Sequence, residues 1–180
     1  FYVPLIPLGS EEDKKDLEAK GLYATGYTAS LPVNKENVNT YSEYVQALEA
    51  NDTAKINEIY PKTLSFNNFE RIIGLAVSTE INALVINVKN DSGLMTYESN
   101  IEAVKKADAN YKASIKDIKT LIELLDEYNI YTIGRIVTFK DRNLALEIPE
   151  HSIQLKTGGV WYDYSGTPWV NPFDKFVWDY

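Results

Sequence analysis

Apolar residues fall on both parities in three short runs, Leu22 to Tyr27, Ala83 to Val88 and Tyr131 to Phe139. Each is rich in β-branched or aromatic side chains and ends in polar, charged or glycine-containing sequence. Runs of this kind read as strands of a parallel sheet covered by helices on at least one face. About 60 residues separate the first two runs and about 48 the next two. Those gaps are too long for hairpins and long enough for helical crossovers.

The clearest helical pattern runs from Ile115 to Tyr128, where Ile115, Ile118, Leu121, Ile122 and Leu125 recur at three- and four-residue steps and form one apolar stripe. Ser114 is placed to cap its first turn, with Asp117 three residues on, and Asn129 to stop it in the left-handed conformation. A second helix, Phe69 to Glu80, offers Phe69, Ile72, Ile73 and Ala76 to the sheet, although Gly74 weakens it. Between residues 30 and 63, Tyr41, Tyr44, Val45 and Leu48 suggest one short helix, and Ile56 with Ile59 another before Pro61. This stretch reads as an insertion in the loop after the first strand. Residues 1–20 read as a lead-in segment with a solvated charge run, Glu11 to Asp16.

The fold class is therefore α/β, with the first three parallel strands and crossover helices of an incomplete (β/α)8 TIM barrel over residues 21–180. A closed barrel takes about 250 residues, and a final helix starting near Pro172 has no stop signal before Tyr180. On this reading the chain breaks off within a helix. Its open strand edges then call for more polypeptide, an oligomer partner or a rearranged packing.

Composition narrows the chemistry. The net charge is −8, from 18 Lys and Arg against 26 Asp and Glu, which disfavours a grip on nucleic acid or anionic lipid. With no cysteine and one histidine, His151, disulfides, thiolate metal sites and His-rich zinc sites are excluded. No apolar run approaches the roughly 20 residues of a membrane span. No G-x-G-x-x-G, Walker or G-x-S-x-G pattern occurs, which argues against a nucleotide cofactor and a serine elbow. No cofactor and no metal are expected.

Four segments occur in a characteristic order: Gly21 to Ala29, Ile81 to Gly93, Gly134 to Asp141 and Trp169-Val170-Asn171-Pro172-Phe173. In these the chain resembles the bacterial glycoside hydrolase domain family with a TIM-barrel fold, known as a domain of unknown function. The resemblance implies an enzyme acting on a polysaccharide or oligosaccharide by carboxylate acid/base chemistry, exported or attached to the cell envelope. It also implies that the barrel continues past Pro172 into a fourth strand bearing a catalytic Asp, so this segment alone is expected to be inactive. The family pattern carries Asp in the second strand where this chain has Asn87, and an amide is neither nucleophile nor base.

Strand alternation puts Val85, Asn87 and Lys89 on one side of strand two and Arg135, Val137 and Phe139 on one side of strand three. Lys89 and Arg135 then point inward and need partners, either catalytic carboxylates and sugar hydroxyls or a structural ion-pair network. Asp91 and Asp141 follow the C-terminal ends of neighbouring strands, where barrel enzymes place their active sites. Two carboxylates there can reach the separations used in glycoside hydrolysis, though Asn90-Asp91-Ser92-Gly93 is equally good turn chemistry. They are the catalytic candidates.

Residues 161–180 hold eight of the chain's 22 aromatic side chains, and such rings suit sugar-binding surfaces. Phe173, Phe176 and Tyr180, at helical spacing, read as core. Trp169, with Trp161 behind it, reads as a ligand contact, and Asn171 joins it as a substrate-binding candidate. Tyr27 either lines the cleft or packs, and His151 reads as solvated. The substrate-binding set is Tyr27, Asn87, Lys89, Arg135, Trp169 and Asn171. A noncatalytic carbohydrate-binding or cell-envelope structural module is the alternative, favoured by Asn87 and the aromatic tail.

Overall fold

The structure, a computed structural model, describes residues 18–180; the charge run from Glu11 to Asp16 lies outside the described residues. Strands β1 (Gly21–Ala24), β2 (Ala83–Lys89) and β3 (Tyr131–Ile136) form a three-stranded sheet in the order β1-β2-β3. Both pairings are parallel, with Tyr23 opposite Val85 and Val85 opposite Ile133. Helices α1 (Gly26–Ala29), α2 (Lys35–Glu49), α3 (Thr53–Thr63) and α4 (Asn68–Ser78) lie between β1 and β2. Helices α5 (Glu102–Lys106) and α6 (Ile118–Glu127) lie between β2 and β3, and α7 (Arg142–Glu147) and α8 (Lys175–Asp179) follow β3. Parallel strands joined by helices make this a partial TIM-barrel-like fold, as the sequence pattern predicts.

One face of the sheet is closed. Leu22, Leu84, Ile86 and Val88 pack with Phe69 and Ile73 of α4 and Leu121 and Leu125 of α6, each fully buried side chain contributing roughly 1.5–3 kcal/mol. The opposite face carries Tyr23 exposed and Val85 half-buried. The segments after β2 and β3 build a second cluster, with Met95, Val104, Leu144, Ile148, Val170 and Val177 at its centre.

Helix ends follow local chemistry. Asn67 and Glu70 form a capping box at α4. The buried Glu70 carboxylate also accepts from the Asn34 backbone N–H and the Asn37 amide, both at 3.0 Å. Because Asn34 is itself the cap of α2, one satisfied buried carboxylate pins the starts of two helices. Gly74, a weak point by propensity, has a packing reason. A Cβ there would lie 2.8 Å from the Val38 carbonyl oxygen and 3.0 Å from Tyr41 Cβ, so the missing side chain lets α2 lie directly on α4. Val38 consequently reaches the main core, and the stretch read as an inserted loop supplies part of the helical layer.

Several expectations are corrected. Helix α6 starts at Ile118, capped by Asp117, whose Oδ1 accepts the Lys119 and Thr120 N–H groups at 2.9 and 3.1 Å, while Ile115 is held in a bridge with Tyr97. Asn129 takes the expected left-handed φ of 56°. Helix α3 continues through Pro61 to Thr63, because a proline near the last turn removes few helical bonds. Strand β3 ends at Ile136, and Phe139 turns into the second cluster. At the C-terminal end, Asn171 Oδ1 accepts the Phe173 N–H at 3.0 Å and Asp174 Oδ1 the Phe176 N–H at 2.8 Å. These two side-chain caps delay the helix past Pro172 and leave Phe173 87% exposed rather than in the core. Gly74→Ala is expected to lower stability by about 1–3 kcal/mol through overpacking against α2, read as a lower urea midpoint with an unchanged slope.

Candidate functional site

At the C-terminal ends of the strands an open cleft of about 510 Å³ is lined by Tyr23 from β1, Asn87 from β2, Asn90, Asp91 and Ser92 from the following loop, and Arg135 from β3. Register places Asn87 opposite Arg135, so the Arg135 guanidinium reaches across: Nη1 donates to Asn87 Oδ1 at 2.9 Å and Nη2 to Asp91 Oδ1 at 3.1 Å. The Asp91 side chain is 64% exposed, and its second oxygen has no partner among the described residues. This is a charge-assisted pair in reach of water, flanked by neutral polar groups and one aromatic ring. The sheet thus brings together Asn87, Asp91 and Arg135 of the expected residues.

The loop bearing Asp91 is fixed from both ends. Asn90 Oδ1 accepts the Ser92 and Leu94 N–H groups at 2.9 and 3.0 Å, and the Ser92 carbonyl accepts the Asn143 N–H at 3.0 Å. Gly93 has φ of +84°, and a Cβ there would lie 1.7 Å from Asp141 Oδ1. Both the backbone conformation and the contact require glycine.

Asp141 and Lys89 lie beneath this loop. Asp141 is fully buried and Lys89 is 5% exposed; their charged groups are 2.5 Å apart. Asp141 Oδ1 accepts the Leu144 N–H at 2.8 Å as the cap of α7. Its Oδ2 faces the ammonium without an aligned hydrogen bond, so charge is what holds it. The ammonium also stands 4.6 Å from the centre of the Tyr180 ring, a cation–π contact. Burial, and then the Asp141 charge, push the Tyr180 phenol well above its ordinary range. Asp141 therefore has no atom open to a glycosidic oxygen, and Lys89 none open to a sugar hydroxyl. Their geometry is that of a buried ion pair beneath the loop.

The remaining expected residues lie apart from the cleft lining. Strand β1 stops at Ala24, so Tyr27 falls on α1 and is 73% exposed. Trp169 is half-buried, and its indole N–H donates to Asp163 Oδ2 at 3.0 Å. Asp163 Oδ1 also accepts from the Ser165 hydroxyl at 2.7 Å and from the Ser165 and Thr167 N–H groups, each at 2.9 Å. Those donors, led by the Ser165 hydroxyl, hold the Asp163 carboxyl far below its ordinary value. Asn171 donates its backbone N–H to the His151 carbonyl at 2.8 Å. His151, read as solvated, instead has Nδ1 2.7 Å from Asp174 Oδ2 and stacks on Phe176 with ring centres 4.0 Å apart. Tyr23, Asn90, Ser92 and Gly93 were not singled out from the sequence. The Asn-Asp-Ser-Gly turn signal was the clue for three of them, and the strand parity of Tyr23 for the fourth.

Among the described residues, no three His, Asp or Glu side chains gather to hold a metal, and no helix is long and apolar enough to cross a membrane. Lys89→Met leaves Asp141 charged and unpaired, and is expected to cost about 3–5 kcal/mol in chemical denaturation. The double variant Lys89→Met with Asp141→Leu should recover much of that loss. A carboxyl lowered from 3.8 contributes stability that is fully present above that pH and is lost progressively as pH falls from there through the lowered value, at which the native carboxylate itself takes up its proton. The Trp169 indole N–H resonance should accordingly stay fixed while free aspartates titrate and move only in stronger acid; in Asp163→Ala it should be displaced at every pH.

The profile of the family described as "Putative glycosyl hydrolase domain" matches residues 58–180, a span holding β2, β3 and every cleft residue except Tyr23. The crystal structure of a hypothetical protein from Ruminiclostridium thermocellum ATCC 27405 is similar, with a TM-score of 0.61 and 30% identity over 88% of this chain. This chain spans 65% of the length of that protein. No curated protein matches. On the strength of the family match, which takes in the strands that carry Asn87 and Arg135 and the loop that carries Asp91, the chain belongs to this glycosyl hydrolase domain family.

Proposed function

We propose that the domain serves a glycoside hydrolase acting on an extracellular or cell-envelope polysaccharide, with the Asn87, Asp91 and Arg135 cleft as its sugar-binding centre. The observation that carries this is a solvent-open carboxylate, paired to an arginine and bordered by amides and a tyrosine, at the C-terminal end of parallel strands. Barrel enzymes assemble their sites at that end.

In glycoside hydrolysis one carboxyl protonates the leaving oxygen, while a second activates water or attacks the anomeric carbon. Asp91, an acceptor with one oxygen on Arg135 and the other toward solvent, fits the second role. Asn87 holds the guanidinium and offers an amide to a sugar hydroxyl. Lys89 and Asp141 act as positioning residues through Gly93. Among the described residues the outer edges of β1 and β3 carry no further strand; they are suited to strands from the rest of a barrel or from an oligomer partner, and the acid would belong to that part of the site. Trp169, Asn171 and Tyr27 are outlying contacts for a longer glycan.

One observation favours a noncatalytic carbohydrate-binding or envelope module instead: among the described residues Asp91 is the sole carboxylate in the cleft lining. Reducing-end release from a polysaccharide panel separates the two. Hydrolysis that falls by a factor of about 100 or more in Asp91→Asn supports the enzyme. Retained binding without release by the complete protein supports the module, and hydrolysis unchanged in Asp91→Asn removes Asp91 from the chemistry.

A further inference from the structure

We infer that the cleft selects uncharged glycans and rejects polyuronates, an inference that rests on the sugar-binding reading above. Its basis is the charge inventory of the lining. Of the six lining residues, one is a cation and one an anion, and they are paired with each other at 3.1 Å. The other four, Tyr23, Asn87, Asn90 and Ser92, are neutral.

A sugar carboxylate is recognised by a guanidinium able to give it two parallel N–H bonds and an uncompensated positive charge. Arg135 does not meet the charge condition, and two of its five N–H donors are already spent. Each of its terminal nitrogens already donates once, to Asn87 and to Asp91. An incoming uronate would share one guanidinium with Asp91, placing two carboxylates on a single cation and leaving the pair of anions one charge in excess. Lys89, at the end of the same strand as Asn87, is no help, because it is buried and neutralised by Asp141. Beyond the cleft, the chain's −8 charge adds a field that repels polyanions at low ionic strength.

Sugar hydroxyls make no such demand. The outward Asp91 oxygen accepts from a hydroxyl, the amide N–H groups of Asn87 and Asn90 donate while their oxygens are held by Arg135 and by the Ser92 and Leu94 N–H groups, and Tyr23 offers a ring face to the apolar side of a pyranose. The same inventory argues against a preference for aminated glycans, since Asp91 is already compensated by Arg135.

The test uses the full chain and affinity electrophoresis or calorimetry, at low and physiological salt, with three probes: a neutral β-glucan, polygalacturonate and chitosan. The expected result is measurable binding of the neutral polymer and at least roughly tenfold weaker binding of polygalacturonate at both salt concentrations, with chitosan as weak at physiological salt, where the attraction of a polycation to the net negative chain is screened. Asp91→Asn, a change at an exposed loop side chain, releases the guanidinium and should raise polygalacturonate affinity about tenfold, a gain of about 1.4 kcal/mol. Arg135→Gln should abolish that gain when combined with it. Polygalacturonate bound as tightly as the neutral polymer, or chitosan so bound at physiological salt, overturns the selectivity while leaving the sugar-binding reading intact. No binding of any of the three overturns both.

Discussion

Lys89 and Asp141 carry full charges into a region closed to water, and ions are tolerated there only while each keeps its counter-charge and hydrogen-bond donors in place. That constraint couples parts of the chain that share no other reason to meet. Lys89 is the last residue of β2, Asp141 opens α7, Gly93 rests on the Asp141 carboxylate, and the Tyr180 ring covers the ammonium. A displacement of any one would strand a charge, so the loop after β2, the segment after β3 and the end of the chain adopt one mutual arrangement. The exposed Asp91 inherits its position from this buried pair without touching it.

The two apolar clusters divide the labour along the same line. The first lies between the sheet and helices α4 and α6 and fixes strand register. The second lies among the segments that leave the strands at their C-terminal ends, and so bears on the loops rather than on the sheet. Polar side chains mediate between them. Thr96 Oγ1 donates to the Asn87 carbonyl at 2.7 Å, tying the end of β2 to the excursion that follows it, while the register shift between Asn87 and Lys89 leaves Val88 as an extra residue on β2. Bulges of this kind re-aim neighbouring side chains next to functional sites; here Asn87 faces Arg135 while Lys89 enters the buried pair.

What was legible in the sequence was whatever depends on local periodicity. The three strands and the amphipathic α6 announce themselves through the spacing of Leu, Ile and Val, and Asn129 through the chemistry of a left-handed stop. Strand parity likewise put Asn87 and Arg135 on one face, which became the cleft. Tertiary decisions were not legible. Nothing near Asp141 distinguishes a buried carboxylate from an exposed one, because its burial comes from Gly93 and Tyr180, both far off in sequence. The same holds for His151, whose partner Asp174 is 23 residues away, and for Trp169, whose indole is claimed by a turn built around Asp163. Gly74 read as a defect because propensity describes a helix in isolation, whereas its role is set by the helix lying across it.

Parallel topology has one more effect, on the order of events as the polypeptide acquires its shape. The residues that meet at Arg135 lie 48 and 44 positions away in the chain, and each encounter must await the closure of a long crossover whose entropy is lost before any contact repays it. The cleft therefore has no local precursor: a peptide excised around β2 holds Asn87 and Asp91 but no guanidinium of Arg135, and one around β3 holds the reverse. The cleft is a late and cooperative acquisition, arriving only when both crossovers have docked, and it should vanish as a unit when either one lets go.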